Sequence, residues 1–475
     1  MDTPHGRFSR RTLIKAAGVS AVGATAAYCG LDHLGLLPSG LSPTGLSGRD
    51  APLPEPPADQ MTYRTHAGSG DKVSLLGFGC MRLPVLPDAA SPRSTDIDEP
   101  AAFALVDYAL AHGVNYFDTA WGYHGGASET VMGKALKRHP RESFYLATKM
   151  PSYLDPTLAE AKEIFAAQLQ KCQVDYFDYY LLHTLSSVDS YRKTYEQRGV
   201  LDFLLEQKAR GRIRNLGWSF HGDSAMLEYA LSRPVAWDFA MVQLNYHDML
   251  HQYIVPPNFQ GRLQSPAPVP WMFETLRQSG LPLIVMEPLL GGRLARLNRK
   301  TLAVLQEERP QDSAAAWAFR YAGGLPNVLT VLSGMTYLEH VQDNIRTYAP
   351  LTPLSAREQD VLKNALSVFV TAENIRCTTC GYCMPCPYGV DIPAVFRHHN
   401  NCLDDEQVPK GERDAQYAQA RRAYLVNLAR QVPELRTAAR CTGCDKCVKL
   451  CPQFIDIPGE MARLGSFVEQ LKTQG

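Results

Sequence analysis

The chain has 475 residues, its 48 Lys and Arg balance 48 Asp and Glu for a formal net charge of zero, and 45% of its residues are apolar. That length suits one large domain with smaller ones attached. A balanced charge argues against nucleic acid as a partner, and no apolar run reaches the ~20 residues of a membrane-spanning helix.

At the N-terminus, Ser9-Arg10-Arg11-Thr12-Leu13-Ile14-Lys15 precedes small, moderately apolar, uncharged residues from Ala16 to Cys29. A twin arginine before a weakly apolar stretch is the signature of a Tat export signal, here residues 1–35. It predicts export by the Tat machinery to the periplasm or another extracytoplasmic location. Ala26-Ala27-Tyr28-Cys29 fits a lipoprotein cleavage site poorly, so an uncleaved signal that tethers the protein to the membrane is the alternative. Residues 36–60 carry Pro38, Pro43, Pro52, Pro54, Pro56 and Pro57 among Gly and Ser, the composition of an extended linker.

From 61 to 350 strand-like and helical runs alternate. Met61–His66 and Lys72–Leu76 flank Gly68-Ser69-Gly70-Asp71, a hairpin signal that would plug the bottom of a barrel. Strands are predicted over Leu75–Leu83, Val114–Ala120, Phe144–Met150, Tyr179–His183, Ile213–Phe220, Phe239–Tyr246, Leu283–Leu289 and Val328–Gly334. Helices are predicted from Ser128, Thr157 and Asp223, through Tyr195–Arg210, and near 271–279, 313–322 and 337–347. This alternation predicts an α/β fold, a closed (β/α)8 TIM barrel.

Such a barrel carries its chemistry at the C-terminal ends of its strands. Those ends hold Asp118, Lys149, His183, Ser219, Gln243 and Asn245, with Tyr123 in the loop after Asp118. A Lys ending an apolar strand needs a counter-ion, which Asp118 supplies. A phenol beside that Lys is expected to have a lowered pKa and to serve as a proton donor near neutral pH. His124, His221, His247 and His251 lie in top-face loops and read as solvated. The loops 184–195 and 247–270 would shape the substrate pocket, and their composition names no substrate.

Residues 351–475 form a separate small domain, in which Glu412–Arg440 reads as one or two charged helices. Of twelve cysteines, Cys29, Cys80, Cys172 and Cys402 are scattered, and Cys80 and Cys172 read as small buried hydrophobes. The other eight form Cys377-Thr-Thr-Cys380-Gly-Tyr-Cys383-Met-Pro-Cys386-Pro and Cys441-Thr-Gly-Cys444-Asp-Lys-Cys447-Val-Lys-Leu-Cys451-Pro. Disulfides, zinc and iron–sulfur compete. Closely spaced Cys-x-x-Cys thiols cannot all pair without strain. Zinc needs neither a third regular Cys nor a following Pro. The second run matches the bacterial C-x2-C-x2-C-x3-C-P pattern, in which the fourth thiolate reaches the neighbouring cluster.

Two [4Fe–4S] clusters follow from this pattern, one on Cys377, Cys380, Cys383 and Cys451, the other on Cys441, Cys444, Cys447 and Cys386. The first run has two residues before Cys386 where the pattern has three, which leaves a [3Fe–4S] or single-cluster variant as the alternative. Clusters are inserted inside the cell, so the chain must fold before export, as Tat allows.

Phe117-Asp118-Thr119-Ala120-Trp121-Gly122-Tyr123, Ser128-Glu129, Met132-Gly133-Lys134-Ala135-Leu136, Ala147-Thr148-Lys149 and Leu181-Leu182-His183 together resemble the motifs of the aldo/keto reductase family. The resemblance covers about Met61 to Asn344, and the cysteine runs resemble an iron–sulfur, ferredoxin-type branch of that family. It implies Tyr123 as general acid, Lys149 as its tuner, Asp118 as anchor of Lys149 and His183 as orienter of a carbonyl substrate. It also implies NADP or NAD as hydride donor without a Rossmann fold. Ser219 and Gln243 would hold its carboxamide, Pro288, Leu289 and Gly291 its pyrophosphate, and Gly334 through Asn344 its adenosine end. Phe220 stands where Asn is usual and His340 where many NADP-using members carry Arg.

The leading expectation is an NAD(P)H-dependent carbonyl reductase. Its rivals are an exported electron-transfer module with a redox protein partner, whose barrel turns over no nicotinamide, and a tail in which clusters act as structural clips.

Overall fold

The computed structural model describes residues 54–473 except 90, 252–265, 370–373 and 412. The export signal with Cys29, the linker up to residue 53 and most of the 247–270 loop lie outside the described residues. Among those described, no helix is long and apolar enough to cross a membrane.

The hairpin comes first, β1 (Tyr63–Thr65) antiparallel to β2 (Lys72–Ser74). The barrel strands follow as β3 (Leu76–Gly79), β4 (Tyr116–Asp118), β5 (Tyr145–Pro151), β6 (Phe177–Leu185), β7 (Ile213–Phe220), β8 (Phe239–Gln243), β9 (Leu283–Met286) and β10 (Val328–Ser333). All pair in parallel, and β10 returns to β3 to close the barrel. The expected strand to Tyr246 stops at Gln243, because Asn245 caps a short helix by accepting from the Asp248 N–H. The expected helix Tyr195–Arg210 is interrupted at Gly199, which has φ 72°: Tyr195 belongs to the π-helical segment Arg192–Gln197, and the α-helix starts at Val200.

The helix Glu99–Ala111 was not foreseen: it is apolar nearly all round, so no helical period stands out of its sequence. Asp98 caps it by accepting from the Ala101 N–H.

Strand alternation sorts the barrel interior into layers. Val73, Tyr116, Ala147, Tyr179, Phe239, Met241 and Ile284 fill the lower part. The Tyr179 ring meets Tyr116 and Phe239 edge-on, each with centroids 5.1 Å apart. The hairpin plugs this end as expected: Val73 joins the interior, and Asp71 accepts hydrogen bonds from Tyr179 Oη and Asn215 Nδ2, both at 3.0 Å. Two residues further along the same strands stand Asp118, Lys149 and Gln243, and His183 stands four beyond Tyr179. The period of two therefore converts four apolar strands into one polar layer at the top.

The helical coat continues past residue 350. Leu362, Leu366 and Phe369 of the helix Ala356–Phe369 pack with Leu290, Leu294, Leu305 and Trp317. Beyond it the helices Ile392–Asp404, Tyr417–Gln431 and Ile457–Thr473 enclose a second core that includes Ile375, Phe396, Leu428, Val432, Met461 and Leu464. The ferredoxin-type domain is thus helical, with no strand among its described residues.

Gly133 marks the tightest helix contact in the barrel coat. A Cβ there would come 2.7 Å from the carbonyl carbon of Cys172 on the neighbouring helix Leu158–Cys172. Gly133→Ala is expected to cost about 1–3 kcal/mol by overpacking, read as a lower thermal unfolding midpoint.

Candidate functional site

Lys149 is the centre of the polar layer. Its Nζ donates to Asp118 Oδ1 at 2.6 Å, to the Thr119 carbonyl at 2.8 Å and to Tyr123 Oη at 3.4 Å. Both charges are buried, Lys149 at 1% and Asp118 at 2% exposure. Below them Glu129 accepts from Thr148 Oγ1 and Gln168 Nε2, each at 2.7 Å, and Gln168 Nε2 also donates to the Lys149 carbonyl at 3.0 Å. This layer fixes the strand on which Lys149 stands.

Tyr123 is placed by a tight turn. His124 takes a left-handed φ of 51°, with the Leu83 N–H donating to its Nε2 at 3.1 Å and its Nδ1 3.0 Å from the Ser94 carbonyl. His124 is therefore buried and structural, where a solvated loop residue was expected, and His247 is buried too. The Tyr123 and His183 rings lie edge to face with centroids 6.3 Å apart. Burial, and after it the charge of Lys149, hold the His183 imidazole well below its ordinary pKa and hence neutral. The expected lowering of the Tyr123 pKa is overturned. Burial, aided by Asp118, pushes the phenol well above its ordinary value, so it keeps its proton through the neutral range.

The residues that the resemblance assigns to a dinucleotide are engaged elsewhere. Ser219 Oγ accepts from the Thr184 N–H at 2.8 Å, and Asn344 Nδ2 donates to Ser333 Oγ at 3.0 Å. Gln243 Oε1 accepts from Gln453 Nε2 at 2.7 Å, while its own Nε2 donates to Asp248 Oδ2 at 2.7 Å. In the loop of Pro288 and Leu289, Gly291 has φ 69° and its N–H donates to Glu287 Oε2 at 2.6 Å. A Cβ on Gly291 would lie 2.6 Å from the Thr378 carbonyl oxygen. Gly334 backs onto the Arg82 stem, and Arg82 donates to the Thr378 carbonyl at 3.0 Å and to Thr379 Oγ1 at 3.1 Å.

The first cysteine run thus lies across the top of the barrel. Tyr382, from within Cys380-Gly-Tyr-Cys383, shares a hydrogen bond with His183 Nε2 at 3.3 Å, and its ring stacks on Tyr153 with centroids 6.4 Å apart. Arg376 Nη2 donates to Asp248 Oδ1 at 2.9 Å. Burial works to raise the Asp248 pKa, but His247 and Arg376 hold this carboxylate well below the usual range. Thr378, Tyr382, Gln453, Arg376 and Asp248 were all missed by sequence reasoning. The one available signal was an aromatic residue inside a Cys-x-x-Cys loop.

The eight cysteines converge from both runs. Cys377, Cys380, Cys383 and Cys451 line one cavity. Cys386, Cys441, Cys444 and Cys447, with Cys383 at the edge, line a cavity of about 430 Å³. Cys383 lines both cavities, Cys451 only the first and Cys386 only the second. Among the described residues, no group of three or more His, Cys, Asp or Glu converges at the spacing of a single ion. Burial pushes the Cys377 thiol up to about 12 and the Cys451 and Cys447 thiols to about 11, with neighbouring cysteines adding to each rise. Bound iron would ionise these thiols, since a coordinating thiol is deprotonated outright. Four thiols lining each cavity, set apart from one another, fit a cubane with one sulfur per iron. Cys80, Cys172 and Cys402 are buried and free.

The profile of the Aldo/keto reductase family matches residues 75–364, and that of the 4Fe-4S dicluster domain matches residues 376–455. L-galactose dehydrogenase of Arabidopsis thaliana is 32% identical over 343 residues, 66% of this chain and 97% of that one. The uncharacterized oxidoreductase YqkF of Bacillus subtilis is 26% identical over 296 residues, 58% of this chain and 87% of that one. Among solved structures, the holo form of an aldo-keto reductase from Bacillus halodurans is similar with a TM-score of 0.50 and 27% identity, covering 64% of this chain and 96% of that one.

The Lys149–Asp118 pair has a stability consequence. Asp118→Asn leaves a buried ammonium without its counter-ion and is expected to destabilise the barrel by about 3–5 kcal/mol, read by denaturant unfolding followed through tryptophan fluorescence.

Proposed function

The chain belongs to the aldo/keto reductase family, and on that premise we propose an oxidoreductase that reduces a small-molecule carbonyl, an aldehyde or ketone, and carries two [4Fe–4S] clusters. The observation that supports it is Lys149 donating to both Asp118 and Tyr123 beside a neutral His183. Reduction of a carbonyl to an alcohol takes two electrons and two protons. Tyr123 gives one proton to the carbonyl oxygen, and Lys149 stabilises the phenolate left behind. The two electrons come from the reduced redox protein partner, and solvent supplies the proton that goes to carbon and the one that restores Tyr123. Asp118 keeps Lys149 charged and aimed. His183, neutral and with Nε2 facing Tyr382, orients the carbonyl by a hydrogen bond when substrate takes the place of that phenol.

The clusters would be held by Cys377, Cys380, Cys383 and Cys451 nearer the barrel and by Cys386, Cys441, Cys444 and Cys447 further out, where they supply single-electron transfer. A redox protein partner would dock at the outer set, where Cys444, Tyr388 and Leu450 are exposed. NADP or NAD, the family's hydride donor, would be held by Ser219, Gln243, Pro288, Leu289, Gly291, Gly334 and Asn344. With Gln243 on Gln453 and Gly291 against Thr378, these residues do not fit a nicotinamide, and no step is drawn through one. The twin-arginine segment supports export in the folded state through Tat to an extracytoplasmic location. A second reading, an exported electron-transfer module whose barrel only binds a ligand or partner, draws on the same closure of the barrel by Tyr382.

Two variants test the proposal. Tyr123→Phe is expected to lower carbonyl reduction, driven by a reduced viologen dye and read as alcohol formed, by about 10²–10⁴-fold, with iron and sulfide content unchanged. Equal turnover in that variant favours the electron-transfer module. Cys386→Ser is expected to perturb one paramagnetic cluster signal of the reduced protein and Cys451→Ser the other; a single signal altered by both would refute two separate cubanes.

A further inference from the structure

The residues of the barrel that would take a dinucleotide meet three features of the chain's own iron–sulfur segment. At the carboxamide position, Gln243 Oε1 accepts from Gln453 Nε2 at 2.7 Å, and Gln243 Nε2 lies 3.4 Å from Gln453 Oε1. A carboxamide of the protein thus makes the two-way amide pair that a nicotinamide carboxamide would make, and Gln453 is buried at 4% exposure. At the pyrophosphate loop, the missing Cβ of Gly291 is what lets the Thr378 backbone approach, so the space a glycine leaves for a phosphate is filled by main chain. At the reacting centre, the Tyr382 phenol takes the His183 Nε2 hydrogen bond that a substrate oxygen would use.

These contacts are locked from the sides. Arg82 donates to the Thr378 carbonyl and Thr379 Oγ1, Arg93 donates to the Thr379 carbonyl, and Arg376 pairs with the buried Asp248 that also holds Gln243. Three arginines beside the cleft are thus committed to protein carbonyls, a hydroxyl and a carboxylate. Thr378, Tyr382 and Gln453 flank Cys377, Cys380, Cys383 and Cys451, so the same residues that would enclose the inner cluster fill the cleft.

We infer that the iron–sulfur segment of this chain occupies the dinucleotide cleft of the barrel, with Gln453 in place of the nicotinamide carboxamide and only the Tyr382 side chain giving way to substrate, and that the protein binds neither NADP nor NAD. The inference rests on the reading of the tail as cluster-bearing, and it separates this chain from a nicotinamide-dependent reductase even though its proton-donating residues stand together.

The test uses the full chain, purified anaerobically with its iron and sulfide measured. NADPH and NADH are titrated up to about 1 mM, the top of the ordinary range of KM values, and followed by nucleotide fluorescence and calorimetry. No saturable binding is expected, and amide hydrogen exchange over 376–382 and 288–292 should be slow and unchanged by either nucleotide. Saturable binding, or a nucleotide-dependent change of exchange in those two segments, would overturn the inference while leaving the Tyr123-dependent reduction to stand or fall on its own assay. Gly291→Ala supplies an independent readout. Its Cβ must push Thr378 away, so faster exchange over 376–382 and a shifted spectrum of the reduced cluster are expected. An unchanged spectrum and unchanged exchange would show that the two segments are not in contact, and the inference would fail.

Discussion

Lys149 carries its charge into the barrel interior with 1% exposure, where a lone ammonium would cost several kcal/mol. Everything around it follows from that cost. Among the described residues Asp118 is its only carboxylate contact, the Thr119 carbonyl takes a second proton and the Tyr123 phenol the third. Burial is what raises the phenol and keeps His183 neutral, and the Tyr382 hydroxyl contributes to it by bonding His183 Nε2. In a wetter site the same Lys149 would act on Tyr123 as a simple neighbouring cation. In a dry one the desolvation of the phenolate outweighs it. The barrel and the tail are therefore coupled: the electrostatics of the proton-donating group are set in part by residues of the cysteine runs.

The tail in turn depends on the crossing of its two runs. Cys451 joins the Cys377–Cys383 set and Cys386 joins the Cys441–Cys447 set. With ligands exchanged in this way, each proposed cluster would tie the two runs together. The apolar core beneath is small, and cysteines from both runs pack against it. A segment of this size gains rigidity from cross-links more readily than from its core. The proposed clusters would then serve as fasteners as well as electron carriers, and two of the readings that competed at the level of sequence cease to be alternatives.

Legibility divides along sequence distance. Asp118, Lys149 and His183 could be found because each ends an apolar run, and the period of two aims each residue inward from its own strand. The hairpin plug was readable from Gly68-Ser69-Gly70-Asp71 for the same local reason. Glu99–Ala111 was hidden because Ala and Leu surround it on nearly all sides. The covering of the barrel top could not be read at all: Gln243 and Gln453 are 210 residues apart, and nothing in the sequence near either announces a partner. The sign of the Tyr123 shift failed for the same reason, since it depends on burial by distant residues rather than on the neighbour that local spacing reveals.

What the closure does to chemistry follows from what each part can exchange. A hydride donor must lie in van der Waals contact with the carbon it reduces, in the space that Tyr382 and Gln453 now fill. Electrons need no such contact, only a short path through packed protein, and protons need a hydrogen-bond chain. Tyr382 lies on both kinds of path: its backbone sits between Cys380 and Cys383, and its hydroxyl bonds His183 beside Tyr123. In the proposed reading, the closed cleft exchanges a diffusible two-electron donor for electrons delivered through the chain's own tail. Asp118, Lys149 and His183 keep their places because they stand on strands, whereas the closure is built from loops.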